Sequence, residues 1–201
     1  EVVQAILLAP VDLLWNGGIG TYVKAAGQSN ADVGDKANDA VRVNGRDLRC
    51  RVVGEGGNLG LTQAGRIEAA RCGVQLNTDA IDNSAGVDCA DHEVNIKILL
   101  DTVVADGDLT VKQRNELLGA MTDDVSDHVL LDNYLQNQVL GYARAQAPAL
   151  LPVHQRLMQS LEERGMLDRA LEVLPSDHEI GELLAEGKGL SSPELCVLLS
   201  Y

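Results

Sequence analysis

The sequence predicts an α/β fold in which part of a doubly wound parallel sheet is followed by an all-α helical region. Short apolar segments at residues 50–54 and 73–77 each lead into a turn of small residues, at residues 54–60 and 83–87. One helix-length segment, residues 62–72, lies between the two apolar segments. Strand, glycine turn, helix and strand is the order of elements in an open parallel sheet. We therefore expect the second half of such a sheet.

A further strand is predicted at residues 11–15, which are apolar except for Asp12 and lead into Asn16. A helix is predicted over residues 31–41, and the Asn44-Gly45 pair predicts a turn before the next strand. Open parallel sheets bind ligands beyond the carboxyl ends of their strands. Both small-residue turns would lie at that edge, where glycine allows the backbone to approach a ligand closely.

Helical patterns dominate the second half of the chain. The Thr110-x-x-Gln113 and Ser176-x-x-Glu179 sequences have the form of capping boxes, and Pro193 suits the first position of a last helix. Helices are predicted at residues 93–104, 111–122, 126–144 and 153–165, with Pro148 and Pro152 separating the last two. We therefore expect two regions, residues 1–92 with the sheet and residues 93–201 with helices only.

Composition limits the classes of partner and compartment. The net charge of −14 over 201 residues argues against binding to nucleic acid, because phosphates would be repelled. There is no apolar run long enough to predict a membrane span. The four cysteines have no C-x-x-C spacing, and scattered free cysteines favour a cytoplasmic location. The chain begins at Glu1 without an initiator Met, so we expect a piece of a longer polypeptide.

The two turns resemble those of the glutamate dehydrogenase family of amino-acid dehydrogenases. The first reads Glu55-Gly56-Gly57-Asn58, where the family has Glu-Gly-Ala-Asn. The second reads Asn83-Ser84-Ala85-Gly86-Val87, where the family has Asn-Ala-Gly-Gly-Val. Residues 10–22, 32–39 and 88–97 are similar to the large bacterial NAD-specific subfamily. The resemblance implies that residues 1–92 are the second half of a dinucleotide-binding domain. It also implies oxidative deamination of L-glutamate to 2-oxoglutarate and ammonia, with NAD as cofactor.

Four residues are the candidate cofactor-binding set: Gly56, Gly57, Asn58 and Asn83. From the residues alone, Asn58 is either a turn residue or a ligand contact, and Asn83 is either a helix N-cap or a ligand contact. A side-chain amide both donates and accepts hydrogen bonds, which suits a carboxamide or a ribose hydroxyl. In the resembled family the position of Asn58 lies near the nicotinamide end of the cofactor, and the position of Asn83 contacts nicotinamide or substrate.

The rest of such an enzyme's machinery is missing from this sequence. It contains no G-x-G-x-x-G fingerprint, and residues 16–21 lack the Lys-Ser/Thr pair of a phosphate loop. The resemblance places the fingerprint, the catalytic Lys and the catalytic Asp upstream. We therefore expect no catalytic residue here and an isolated chain that is inactive and binds NAD poorly. Ala90 stands where the family has a Ser that contacts substrate, so a dehydrogenase of a different amino acid is an alternative.

We expect no metal site, because the neighbouring residues His92 and Glu93 cannot converge on one ion from a helix. Asp91 and Glu93 instead suit the start of a helix, where the macrodipole favours negative charge. The long amphipathic tail supports a second hypothesis, that the chain is a helical assembly module. The two hypotheses are compatible if the tail belongs to the enzyme, and we expect the full-length enzyme to be a homo-oligomer.

Overall fold

The computed structural model describes residues 2–201 and contains a small parallel sheet within a mostly helical chain. The N-terminal region consists of α1 (Val2–Leu7), β1 (Leu13–Asn16), β2 (Val23–Lys24), α2 (Asn30–Val33), β3 (Val43–Asn44), β4 (Val52–Glu55), α3 (Gln63–Arg71) and α4 (Asp79–Asp82). The helical region consists of α5 (Ser84–Ala105), α6 (Val111–Ala120), α7 (Thr122–Glu163), α8 (Asp177–Ala185) and α9 (Ser192–Leu198). The α/β class predicted from the sequence is therefore present.

The sheet pairs β1 with β4 in parallel, with Leu13 opposite Val52 and Asn16 opposite Glu55. The predicted third strand is reduced to a single parallel bridge between Val52 and Gln75. A second parallel pair joins β2 to β3, and each of these strands is two residues long. The carboxyl ends of β1 and β4 consequently lie side by side, as a parallel sheet requires.

The helix predicted over residues 31–41 is wrong for most of its length. The structure has only α2 and a 3₁₀ turn at Lys36–Asn38. Ser29 and Asp32 form a capping box that starts α2, and Gly34 ends it with a φ of +75°. Since that left-handed angle suits glycine and stops helical hydrogen bonding, α2 cannot continue. The polar residues that follow form a loop around the buried Arg42 side chain.

Helix α7 runs without interruption through Pro148 and Pro152, where the sequence predicted a break between two helices. A proline inside a helix removes a backbone hydrogen bond and favours a kink. Here the two prolines are four residues apart and lie toward one face of α7, which is exposed at Pro148. Ala147 and Leu151 are buried against the rest of the helical region. Tertiary packing of that buried face thus keeps the helix continuous.

Helix α5 also differs from its predicted bounds, because it begins at Ser84 rather than at residue 93. The second small-residue turn is therefore largely helical. Both predicted capping boxes are present, at Thr110 with Gln113 and at Ser176 with Glu179. No helix in residues 2–201 combines the length and apolar character needed to cross a bilayer.

Two groups of buried apolar residues form the core. One lies among residues 23–76 and includes Val23, Val53 and Leu61, all nearly inaccessible to solvent. The other lies among residues 81–198 and is centred on α7, where Leu151 and Met158 have no exposed surface. Helix α9 packs against α3 and so joins the helical region to the sheet region.

Candidate functional site

Two loops meet at the carboxyl ends of β1 and β4. The backbone N–H of Gly57 donates a hydrogen bond of 3.0 Å to the carbonyl oxygen of Asn16, the last residue of β1. A Cβ on Gly57 would lie 2.5 Å from the backbone oxygen of Gly18. Because backbone cannot yield as a flexible side chain can, only glycine fits there without moving the loop. Gly56 similarly leaves room for the indole of Trp15.

Asn58 and Asn83 are brought together at this edge of the sheet. The Nδ2 of Asn83 donates a hydrogen bond of 2.7 Å to the Oδ1 of Asn58, across 25 residues of sequence. Asn83 occupies the N-cap position of α5, but its side chain makes no capping hydrogen bond. Its amide is therefore directed toward the other turn rather than toward its own helix.

The pair retains hydrogen-bonding capacity. A primary amide has two N–H donors and one carbonyl acceptor. Among the described hydrogen bonds, Asn58 uses only its oxygen and Asn83 only its nitrogen. Both N–H groups of Asn58 and the Oδ1 of Asn83 thus stay available beside an exposed surface. The two side chains therefore present a hydrogen-bond donor next to an acceptor, beside a backbone turn made of small residues.

A buried ion pair supports the first turn from beneath. The carboxylate of Glu55 accepts hydrogen bonds from Nε of Arg66 at 2.7 Å and from Nη2 at 2.9 Å. Arg66 also pairs with Asp79, whose Oδ1 lies 2.9 Å from Nη2. Burial raises the pKa of Glu55 against the opposing effect of Arg66. Burial alone would lower the pKa of Arg66, but its hydrogen bonds and charge pairing with Glu55 and Asp79 raise it.

Asp79 also fixes the backbone next to Asn58. Its Oδ2 accepts a hydrogen bond of 2.7 Å from the N–H of Leu59. Leu59 has a φ of +60°, a left-handed conformation that costs a non-glycine residue about 1 kcal/mol. A charge-assisted hydrogen bond to the buried network compensates for this cost. The turn is thereby held in one conformation that presents the Asn58 side chain.

Asp82 and α7 hold the second turn. Asp82 accepts a hydrogen bond of 3.0 Å from the N–H of Glu55, and burial raises the pKa of its carboxyl. From α7, the Nδ2 of Asn133 donates to the carbonyl of Ile81 at 3.0 Å and to the hydroxyl of Ser84 at 2.9 Å. These contacts flank Asn83 on both sides, so α7 and β4 together determine where its amide lies.

The candidate residues predicted from the sequence include the exposed Asn58 but not the buried charged residues that hold the two turns in place. Glu55, Arg66, Asp79 and Asp82 were not among the candidate residues. One signal was available: Glu55 directly follows the apolar residues Val52 and Val53 and Gly54, and a carboxylate at the end of a buried strand needs a partner. The partner could not be identified from spacing, since α3 and α4 both contribute to it. Ala90 lies exposed on α5.

The parallel strands and surrounding helices place the chain among the α/β proteins, and open parallel sheets in that class bind ligands at the carboxyl edge of their strands. Comparison with known proteins identifies the family. The sequence model for the catalytic domain of bacterial NAD-glutamate dehydrogenase matches residues 1–143, and the chain belongs to this family.

Curated relatives cover the whole chain. It is 59% identical over 201 residues to the NAD-specific glutamate dehydrogenase of Halomonas elongata. The proteins of the same name from Pseudomonas aeruginosa and Mycobacterium tuberculosis are 60% and 54% identical over 201 residues. In each case the alignment covers 100% of this chain and 12% of the relative. The chain therefore spans about an eighth of the length of these relatives.

The buried ion pair between Glu55 and Arg66 leads to a prediction about the stability of the fold. Glu55→Gln is expected to lower the free energy of unfolding by about 3 kcal/mol, because it leaves the buried Arg66 charge only partly compensated. The control is Glu116→Gln, whose carboxylate lies 3.8 Å from Lys112 on exposed α6 and should cost no more than about 0.5 kcal/mol. Urea unfolding followed by circular dichroism measures both. Equal effects of the two substitutions would contradict a supporting role for Glu55.

Proposed function

We propose that this chain forms the nicotinamide-side wall of the cofactor site in an NAD-dependent glutamate dehydrogenase. The complete protein would oxidatively deaminate L-glutamate to 2-oxoglutarate and ammonia. Membership of the bacterial family and the names of three relatives support this assignment. The structural observation that carries it is the contact between the Asn58 and Asn83 amides at the carboxyl ends of parallel strands.

The chemistry of this pair fits the carboxamide of nicotinamide. A carboxamide presents a carbonyl oxygen beside an NH₂ group. The free N–H groups of Asn58 can donate to that oxygen, and the free Oδ1 of Asn83 can accept from that NH₂ group. These two hydrogen bonds together would fix the orientation of the nicotinamide ring in the site. Gly56 and Gly57 would let the backbone approach the ring without a side chain between them.

NAD, when bound, accepts the hydride that leaves the α-carbon of glutamate. The task of this chain is to hold the nicotinamide ring in the right orientation and to exclude water from one side of it. Asn58 and Asn83 would orient the ring through its carboxamide, while Glu55, Arg66 and Asp79 keep the Asn58 turn rigid. These residues are binding and positioning groups, and we assign none of them a proton-transfer role.

We propose that β1, β4 and the segment around Gln75 belong to a larger doubly wound sheet. The parallel register and the α3 crossover between β4 and Gln75 support this. The pyrophosphate-binding fingerprint, the catalytic Lys and the catalytic Asp would then lie upstream in the complete protein. The separate cores among residues 23–76 and 81–198 support a sheet region at residues 1–92 and a helical region at residues 93–201.

The substrate has one alternative, which Ala90 motivates. If the missing hydroxyl is not replaced from elsewhere, another amino acid would take the place of L-glutamate. Substrate profiling of the complete protein separates the two. We also propose a cytoplasmic location, which is supported by the four free cysteines.

Helix α7 supports an assembly role within the same enzyme. An apolar row on α7 is solvent-exposed in this chain, and its members are Leu131, Tyr134, Leu135, Val139 and Tyr142. The spacing of three to four residues places them along one side of the helix. We propose that this row packs against another part of a homo-oligomer.

Replacing Asn83 tests the cofactor assignment. In the complete protein, Asn83→Ala is expected to lower kcat/KM for NAD by about 10-fold or more, because a hydrogen bond to the carboxamide and the contact with Asn58 are both lost. Asn95→Ala, on the exposed surface of the same helix α5, is the control and should leave kcat/KM unchanged. Unchanged hydride-transfer kinetics in Asn83→Ala would remove this residue from the site.

The isolated chain is expected to bind NAD weakly and to have no catalytic activity. A dinucleotide is anchored mainly through its pyrophosphate, at a glycine-rich turn and a helix N-terminus that this sequence lacks. Calorimetric titration of the 201-residue chain with NAD measures the affinity. A dissociation constant near micromolar would mean that the main anchor lies within this chain after all.

The assembly role is tested by sedimentation of the complete protein. Replacing both Leu131 and Leu135 with Ser is expected to shift the protein toward smaller species, since apolar contact area at the interface is lost. Leu171→Ser is the control, because Leu171 is 77% exposed and lies outside α7. An unchanged sedimentation profile in the α7 variant would exclude this row from the interface.

A further inference from the structure

A separate polar cluster lies between α5 and α7. The Nδ1 of His92 is 3.3 Å from the Oδ1 of Asp88, one turn earlier on α5. Asp132 approaches from α7, so that one ligand atom from each of the three residues lies within 4.8 Å of the other two. The proposed cofactor site uses none of these three side chains.

The cluster has a reciprocal pattern in the sequence. On α5 an Asp precedes a His by four residues, at Asp88 and His92, and on α7 a His precedes an Asp by four residues, at His128 and Asp132. Residues four apart share one face of a helix. The two helices run in opposite directions, so His92 lies near His128, with 6.4 Å between ring centroids. Sequence reasoning paired His92 with Glu93 and overlooked this arrangement.

The carboxylates of the cluster are poorly compensated. The Oδ2 atom of Asp88 is inaccessible to solvent and has no hydrogen-bond partner among the described residues. A buried oxygen of a charged group without a partner is unfavourable unless a ligand satisfies it. Asp91 and Asp132 line the same surface cleft as Asp88, and the chain as a whole carries a net charge of −14. The field at the cluster therefore attracts a cation.

We propose that Asp88, His92 and Asp132 bind a divalent transition-metal ion of the Zn²⁺ type. Ligand atoms at about 2.0–2.2 Å from a tetrahedral Zn²⁺ ion are roughly 3.3 Å from one another. The separation of 3.3 Å between Asp88 and His92 already meets this requirement. Asp132 is exposed and free to close the remaining gap by a change of rotamer.

The donor set favours this class of metal. Imidazole nitrogen with carboxylate oxygen suits Zn²⁺ and its neighbours, whereas Mg²⁺ and Ca²⁺ are bound by oxygen ligands alone. His128 is one candidate for a fourth ligand, since it shares a helix face with Asp132 and its ring centroid lies 6.4 Å from that of His92. The ion would tie the first turns of α5 to α7, immediately after Asn83. Its role would be to hold that end of α5 in place.

The test compares zinc binding in the complete protein before and after removal of single ligands. The protein is stripped with a chelator, dialysed and titrated with Zn²⁺, and affinity is measured by competition with a chromophoric chelator. His92→Gln and Asp132→Asn are each expected to weaken one Zn²⁺ site by about 10-fold or more. Zn²⁺ is also expected to raise the midpoint of thermal unfolding in the unaltered protein and to lose this effect in both variants.

Matched substitutions outside the cluster serve as controls. His178→Gln removes an 83% exposed His on α8, and Asp127→Asn removes an exposed carboxylate on α7. Both should retain full Zn²⁺ affinity, and Mg²⁺ should give no thermal shift. Zn²⁺ affinity that is unchanged in His92→Gln and Asp132→Asn would overturn the proposal, as would equal losses in the controls. Because Asp132 is exposed, its Asn variant should fold normally, and circular dichroism verifies this.

Discussion

The buried contact of Glu55 with Arg66 and Asp79 organises the region that carries the candidate site. It joins the end of β4, which precedes the Asn58 turn, to α3, which follows that turn, and to α4. The side chain of Glu55 is 1% exposed, and its carboxylate accepts three hydrogen bonds, two from Arg66 and one from the backbone N–H of Leu61. Taking these charges out of water is costly, and only a complete set of partners offsets that cost. The geometry of the turn is therefore set by electrostatics rather than by apolar packing.

Apolar packing dominates elsewhere, and α7 is its centre. The helix buries one side against α8 and α9, which keeps it continuous past two prolines. Contacts from α9 then extend to the sheet region: Arg71 pairs with Glu194 at 3.1 Å, and Ser192 donates to Asn77 at 2.8 Å. The helical tail thus contacts the sheet region that carries the candidate site. A change in the tail can reach the Asn83 turn through α7 and Asn133.

Two polar sites of different character begin in α5. The Asn83 amide, at the N-cap of this helix, contacts Asn58 at the sheet edge, where we propose that a neutral carboxamide binds. The cluster of Asp88, His92 and Asp132 lies between α5 and α7, where carboxylates from both helices come together. These lie on different sides of one helix and are separated by little more than a turn. Because both depend on how α5 begins, the contacts of Asn133 with Ile81 and Ser84 bear on each of them.

The sequence was sufficient to predict the features that depend only on residues close together along the chain. Three features were recognisable because each rests on neighbouring residues. They are the capping boxes at Thr110 and Ser176, helix α3 between two strand-like segments, and the family itself. Elements that were misjudged depend on distant contacts. The strand at residues 73–77 shrinks to one bridge, and α7 survives its prolines because buried neighbours hold it.

The sequence by itself determined that Asn58 and Asn83 follow strand-like segments in small-residue turns typical of a known family. Only the tertiary structure decided that the two amides touch, that Glu55 neutralises Arg66, and that Asp88 faces Asp132. The physical reason is that these contacts join residues 11–44 positions apart. Spacing along the chain constrains side chains only within one element, whereas the packing of several elements determines which polar groups meet.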